Sequence, residues 1–336
     1  MDKIIKVVIA LGGNALEDKS MPSTAEAQLE VVKKTCEHLA EISCAGYEIA
    51  IVHGNGPQVG RLLLASETAR DVTPAMPFDV CGAMTQGYIG YHIQQGLKYA
   101  LAKRNRILPV VTVVTQVVVN KNDRAFNNPT KPIGMFYTEE EAKKIAEEKG
   151  YIMKEDAGRG WRRVVPSPMP ERILEVDTIK RLWDSTITIA CGGGGVPVVE
   201  NEDGSVDGIA AVIDKDLAAE KLAEDMDADI LMILTEVEKV SINYKKPNQQ
   251  DLSFMTVKEA EKYMEEGHFA PGSMLPKMMA SVKFVKNNPE RKSIITSLYK
   301  SMDALNGLTG TVITSIRIQY DFLMQSNLAA FLLCFK

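Results

Sequence analysis

Apolar, β-branched runs that give way to glycine and then to helical periodicity recur along this chain of 336 residues. That alternation dictates an α/β fold with a largely parallel sheet covered by helices, because each parallel strand needs a crossover and the crossover is usually a helix. The clearest strands are Ile4–Leu11, Tyr47–His53, Leu108–Val114, Thr186–Cys191, Ile209–Ile213, Asp229–Thr235 and Ser293–Thr296. Between the first two, Ser23 with Glu26 reads as a capping box. Leu29, Val32, Cys36, Leu39 and Ile42 then fall on one helical stripe, and Gly46 supplies the stop.

A second long helix spans Asp79–Lys103 and carries small residues at Gly82, Ala83, Gly87 and Gly90. Two explanations stand for them: close packing within the chain, or contact with a second subunit. Residues 120–170 break the strand–helix rhythm with Pro129, Pro132, Gly134, Gly158, Gly160 and a proline-rich end. They enclose a short helix with its own capping box, Thr138 with Glu141, and the i,i+4 pairs Glu139–Lys143 and Glu140–Lys144. This pattern predicts a small inserted lid.

Composition excludes several classes of function. With 45% hydrophobic and 25% charged residues the chain is an ordinary globular protein, long enough for two or three domains or one α/β body with appendages. A net charge of -5 argues against a partner held through nucleic-acid phosphates. Cys36, Cys44, Cys81, Cys191 and Cys334 are odd in number and lack CxxC spacing, so free thiols in a reducing, cytoplasmic setting are expected. His38, His53, His92 and His268 show no metal-binding spacing, and no protein-held metal is expected. No stretch reaches the roughly 18 apolar residues of a membrane span. The uncharged run Phe322–Phe335 comes nearest.

Two strand ends carry loops suited to anions: Gly12-Gly13-Asn14 and Gly54-Asn55-Gly56-Pro57-Gln58. Glycine there lets backbone N–H groups approach an oxyanion, although tight turns alone would also use it. Four glycines, Gly192–Gly195, follow a third strand, and close backbone approach to a ligand is the favoured explanation. Neither GxGxxG nor GxxxxGK[ST] occurs, so any phosphate is held by another scaffold. Lys131, Lys215 and Lys277 lie in loops stiffened by Gly and Pro or directly after a strand. Glycine cradles plus rigidly placed lysines are what phosphoryl transfer needs, since its catalysis is mostly alignment and charge neutralisation. Asp216 has two natural roles, accepting from two ammonium groups or capping the helix that follows it.

The chain resembles the carbamate kinases of the amino-acid kinase fold. The resemblance rests on Ala10–Leu16, His53–Gly60, Asp79–Met84, Asn128–Gly134, Ala190–Pro197, Ile213–Ala218, Gly272–Met274 and Pro276–Lys277, in family order from residue 4 to about 313. It implies a three-layer αβα sandwich with a protruding lid. It also implies reversible phosphoryl transfer between ATP and carbamate, usually run toward ATP in arginine breakdown. Residues 1–185 would form the acid-binding and dimerisation lobe, with 120–170 as its inserted lid. Residues 186–313 would form the nucleotide lobe, and 314–336 a tail outside the core.

By the same resemblance, Gly12, Gly13, Asn14, Gly54, Asn55 and Gly56 bind the small substrate. Lys131 reaches the transferred group from the lid, and Lys215 and Lys277, oriented by Asp216, neutralise the phosphates. Asp214, Tyr244 and Ser273 belong to the nucleotide side, Mg²⁺ travels with ATP or ADP, and the protein is a homodimer. Arg61, Met135 and Leu275 depart from the family pattern, Leu275 placing a side chain beside the nucleotide loop. Rival readings are another acid kinase of this fold, such as acetylglutamate kinase, and a non-catalytic anion or nucleotide binder.

Overall fold

The computed structural model describes residues 3–316 apart from Lys19, Ala157 and Asn287. The tail from 317 on, with the uncharged run Phe322–Phe335 and Cys334, lies outside the described residues.

One eight-stranded sheet runs in the order Phe254–Thr256, Thr311–Thr314, Lys292–Ser297, Ile230–Thr235, Lys6–Leu11, Glu48–His53, Ile187–Ile189, Val110–Thr112. Its pairings are parallel except between Lys292–Ser297 and Thr311–Thr314. Both faces are covered. On the first strand Val7, Ile9 and Leu11 join a core with the helices Ala25–Cys44 and Phe78–Ala102. Val8 and Ala10, which point the other way, join a core with Lys215–Asp225 and Met274–Lys286. Side chains alternating between two buried faces explain why central strands read as unbroken apolar runs. This is the α/β sandwich expected from the sequence.

A second, four-stranded sheet, in the order Val206–Gly208, Val196–Glu200, Gln116–Val119, Pro170–Ile173, has no counterpart in the sequence reading. The insertion contains a small sheet-and-helix unit. It holds the three-stranded sheet Lys131–Tyr137, Trp161–Val165 and Met153–Glu155 and the helix Glu139–Lys149, with the Thr138–Glu141 capping box in place. Glu139 pairs with Lys143 at 2.7 Å, but Lys144 turns to Glu148 instead of Glu140.

Two further local expectations fail. Thr24 rather than Ser23 caps the helix Ala25–Cys44, because the Ser23 hydroxyl is taken up by Glu17. Ile209–Ile213 is not a strand: Ala211 N–H turns back to Ile209, and Val212 N–H reaches Pro166. The run is a partly buried connection between the small sheet and the site rather than part of a ladder: Ala211 and Ile213 are buried and Ala210 is exposed. The small residues of Phe78–Ala102 divide in two. A Cβ on Gly90 would stand 2.4 Å from Thr112 and one on Gly96 2.7 Å from Cys36, whereas Gly82 and Gly87 face open space.

Candidate active site

Register brings the loops together. Leu11 lies beside both His53 and Leu234, so the loops that follow these strands emerge side by side at one edge of the sheet. Ligands of open α/β sheets bind beyond such carboxyl ends. The first loop supplies Gly12, Gly13 and Asn14. The second becomes the helix Gly56–Thr68, capped by Asn55 without a side-chain bond to the helix, so its first N–H groups stay available to an anion. Asn55 is buried and donates instead to Thr85 Oγ1 at 2.8 Å.

Lys215, Asp216 and Lys277 form the centre. Lys215 Nζ donates to Asp216 Oδ1 and Lys277 Nζ to Asp216 Oδ2, both at 2.8 Å. Asp216 is almost wholly enclosed, and Lys277 is largely so. The alternative role for Asp216, the helix cap, falls to Asp214, whose Oδ1 accepts from Asp216 N–H at 2.9 Å. The other oxygen of Asp214 accepts from Lys131 Nζ at 2.5 Å, tying the lid to the body across 83 residues of sequence.

Burial by itself would push the Asp216 carboxyl up. The flanking Lys215 and Lys277 outweigh it and hold the group well below the usual carboxylate range. Burial likewise opposes the charge on Lys215, but Asp216 and Asp214 keep its pKa above the ordinary lysine value. One carboxylate between two ammonium groups leaves a shortfall, and it falls on Lys277. Burial and the neighbouring Lys215 together lower its pKa despite Asp216.

Two cavities meet at these lysines. The smaller, about 180 Å³, is walled by Gly54, Asn55, Gly56, Gln58, Lys131 and Asp214, among others. The larger, about 610 Å³, is walled by Gly12, Asn14, Lys239, Tyr244, His268 and Phe269, among others. Gly13, Lys215, Gly272, Ser273 and Lys277 line both. The sequence-predicted residues thus converge, with a division of places. Gly12 and Asn14 face the larger cavity, and Asp214 faces the smaller one beside Lys131. Leu275 packs against the core and is not among the residues lining either cavity.

The glycine run plays a different part from the one expected. A Cβ would strike His53 at Gly192 (2.5 Å), Asn55 at Gly193 (2.2 Å), the Ile213 carbonyl at Gly194 (2.2 Å) and Val117 at Gly195 (2.3 Å). Protein neighbours fill the space, and of the four only Gly193 is among the residues lining the smaller cavity. The run is needed to let Asn55 and His53 sit where they do. His53 Nδ1 lies 2.9 Å from the Gly54 carbonyl, which accepts only, so Nδ1 carries the proton. Complete burial pushes the His53 pKa down to about 4 and keeps the ring neutral. Sequence reasoning did not single out His53, although its place just before Gly54 was the available signal.

Glycine loops and paired lysines thus meet beyond the carboxyl ends of central strands on a doubly covered and mainly parallel sheet. The amino acid kinase family model matches residues 6–297, and the chain belongs to that family. Within it the chain is similar to several carbamate kinases. The carbamate kinases of Pyrococcus horikoshii and Clostridium perfringens are each 54% identical, covering 92% of this chain and 99% of their own length. A structure of Giardia lamblia carbamate kinase bound to AMP-PNP superposes with a TM-score of 0.86 at 45% identity, over 94% of this chain and 99% of that one. This chain is therefore a kinase of the carbamate kinase group.

Proposed function

We propose that the protein catalyses reversible phosphoryl transfer between ATP and carbamate, giving ADP and carbamoyl phosphate. The observation that carries this reading is the Lys215–Asp216–Lys277 bridge at the junction of a small and a large cavity. A nucleotide takes the 610 Å³ side, a reading supported by the AMP-PNP complex of the Giardia relative, and the small acid takes the 180 Å³ side beside Lys131. A carbamate oxygen attacks the γ-phosphorus; the new O–P bond forms as the bond to the β-phosphate oxygen breaks, and ADP leaves with the electron pair. No general base is needed, because the attacking oxygen is already anionic. Lys215 and Lys277 neutralise the charge on the transferring group, and Lys131 leaves Asp214 to meet it from the smaller cavity.

The glycine loops bind the phosphoryl groups through backbone N–H, with Ser273 and Tyr244 on the nucleotide side. Among the described residues no three His, Cys, Asp or Glu side chains gather as a metal cage. We infer that Mg²⁺ travels with the nucleotide phosphates, where it would offset their charge. Residues 1–185 serve as the acid-binding and dimerisation lobe and 186–313 as the nucleotide lobe. Gly82 and Gly87 open outward beside exposed Val80, Met84 and Tyr91, which supports a homodimer through that helix. We place the enzyme in the cytoplasm, working toward ATP in arginine breakdown; no described helix is long and apolar enough to cross a membrane.

An acetylglutamate-type substrate finds no arginine among the residues lining the smaller cavity to hold a second carboxylate. The test is ATP formation from ADP and carbamoyl phosphate in a coupled assay. Lys131→Ala, Lys215→Ala and Lys277→Ala are each expected to remove most of it while circular dichroism stays unchanged. Wild-type turnover in all three, or phosphorylation of acetylglutamate in place of this reaction, would overturn the assignment.

A further inference from the structure

We propose that Arg61 and Glu17 are a positioning pair that sets the spacing of the two anion loops and so governs affinity for the small substrate separately from affinity for the nucleotide. The proposal rests on the carbamate kinase reading above and deepens it.

Arg61 stands out in the sequence as a departure from the family pattern, yet it lines neither cavity. Its guanidinium reaches from the helix Gly56–Thr68 to the segment behind the first loop. Nη1 and Nη2 donate to Glu17 Oε1 and Oε2 at 2.9 and 3.0 Å, a paired geometry that fixes position as well as charge. Gln58 Nε2, one turn earlier on the same helix, adds a longer bond to Glu17 Oε2 at 3.3 Å.

Glu17 is the fixed end of the pair. Its N–H and that of Leu16 both donate to the Gly13 carbonyl, at 3.1 and 3.0 Å, and Gly13 lines both cavities. The Ser23 hydroxyl, just ahead of the helix Ala25–Cys44, donates to Oε1 at 2.9 Å. Burial favours the neutral acid, but Arg61 and Ser23 prevail and hold the carboxyl below its usual pKa.

The helix is the movable end. Pro57 carries no N–H, so Gly56 and Gln58 supply the first-turn groups for an anion, and where they aim depends on where the helix lies. Gly56, Pro57, Gln58 and Val59 line the smaller cavity, whereas no residue of this helix is among those lining the larger one. A shift of the helix is therefore felt by the small substrate and not by the nucleotide. Without Arg61, Glu17 keeps its ties to Gly13 and Ser23, so it is the helix that loses its setting.

The test measures KM for carbamoyl phosphate and KM for ADP separately in the coupled assay. Arg61→Ala should raise KM for carbamoyl phosphate by about tenfold or more and leave KM for ADP within about twofold. Arg61→Lys, which keeps the charge and loses the paired geometry, should show a smaller rise on the same side, and this arm decides the matter if Arg61→Ala does not fold. An unchanged KM for carbamoyl phosphate in the folded variant would overturn the role of Arg61 and leave the functional reading standing. So would an equal rise for both substrates, which a general loosening of the fold would give. Absence of any ATP from carbamoyl phosphate with the wild-type protein would overturn both.

Discussion

A Cβ on Gly60 would stand 2.2 Å from the Cα of Gly134, so the helix Gly56–Thr68 and the lid strand Lys131–Tyr137 touch backbone to backbone. That contact seats Lys131, three residues before Gly134 on the same strand. The lid has a second anchor on the same helix, since Lys149 and Tyr151 both bond to Glu67. Held at both places, the strand cannot give way cheaply to an added methyl group. Gly60→Ala is expected to cost about 1–3 kcal/mol by overpacking and to lower kcat/KM for carbamoyl phosphate by more than about tenfold through displacement of Lys131. Denaturant unfolding and steady-state kinetics check the two effects separately.

Asp216→Asn keeps the shape of the centre and removes its only negative charge between two ammonium groups. Breaking a buried ion pair by deleting one partner typically costs about 3–5 kcal/mol. We expect a loss of stability in that range and a fall in kcat of about a hundredfold or more, because Lys215 and Lys277 lose their common anchor. A variant with wild-type melting and turnover would show that the bridge is dispensable.

Alkaline pH should disable the free enzyme earlier than an ordinary lysine would. The pKa of Lys277 is lowered by burial and by Lys215, so its proton leaves as pH rises through a value below the usual lysine range of about 10.4. The profile of kcat/KM against pH is expected to show an alkaline limb beneath that value. Lys277→Arg, which keeps its charge, should move the limb upward even where overall activity drops.

Glu220 offers a stability test away from the chemistry. It is wholly enclosed, its Oε2 accepts from Lys283 Nζ at 2.7 Å, and Oε1 has no partner. Burial is the main cause that raises its pKa, to about 7, with Lys283 only partly offsetting it. A carboxyl whose folded pKa exceeds its unfolded value binds its proton more tightly when folded. Stability therefore falls as pH climbs from the unfolded value toward 7, then levels. The cost at pH 8 is on the order of 3 kcal/mol. Glu220→Gln should narrow the difference in melting temperature between pH 5 and pH 8; an unchanged difference would contradict this account.

Much of the site was legible because its parts are local. Lys215 and Asp216 are adjacent, Lys277 sits in its own motif, and both anion loops directly follow strands. What the sequence hid depends on distance. Nothing near Asp214 announces that it clamps Lys131, 83 positions away, and nothing near Glu17 announces Arg61 and Gln58. Ile209–Ile213 misled because a partly buried connection and a buried strand share the same apolar composition. The glycine run misled in another way: the need for a missing side chain is visible in sequence, but what occupies the vacated space is not.

Because the two cavities share only Gly13, Lys215, Gly272, Ser273 and Lys277, the remaining walls are free to change independently. On the proposed reading, substitutions around Asn55 or the lid would alter which acid is accepted without touching the residues around Tyr244 and Phe269. The partition thus has an evolutionary meaning: a lineage on this scaffold could exchange one acceptor for another while inheriting its nucleotide machinery intact.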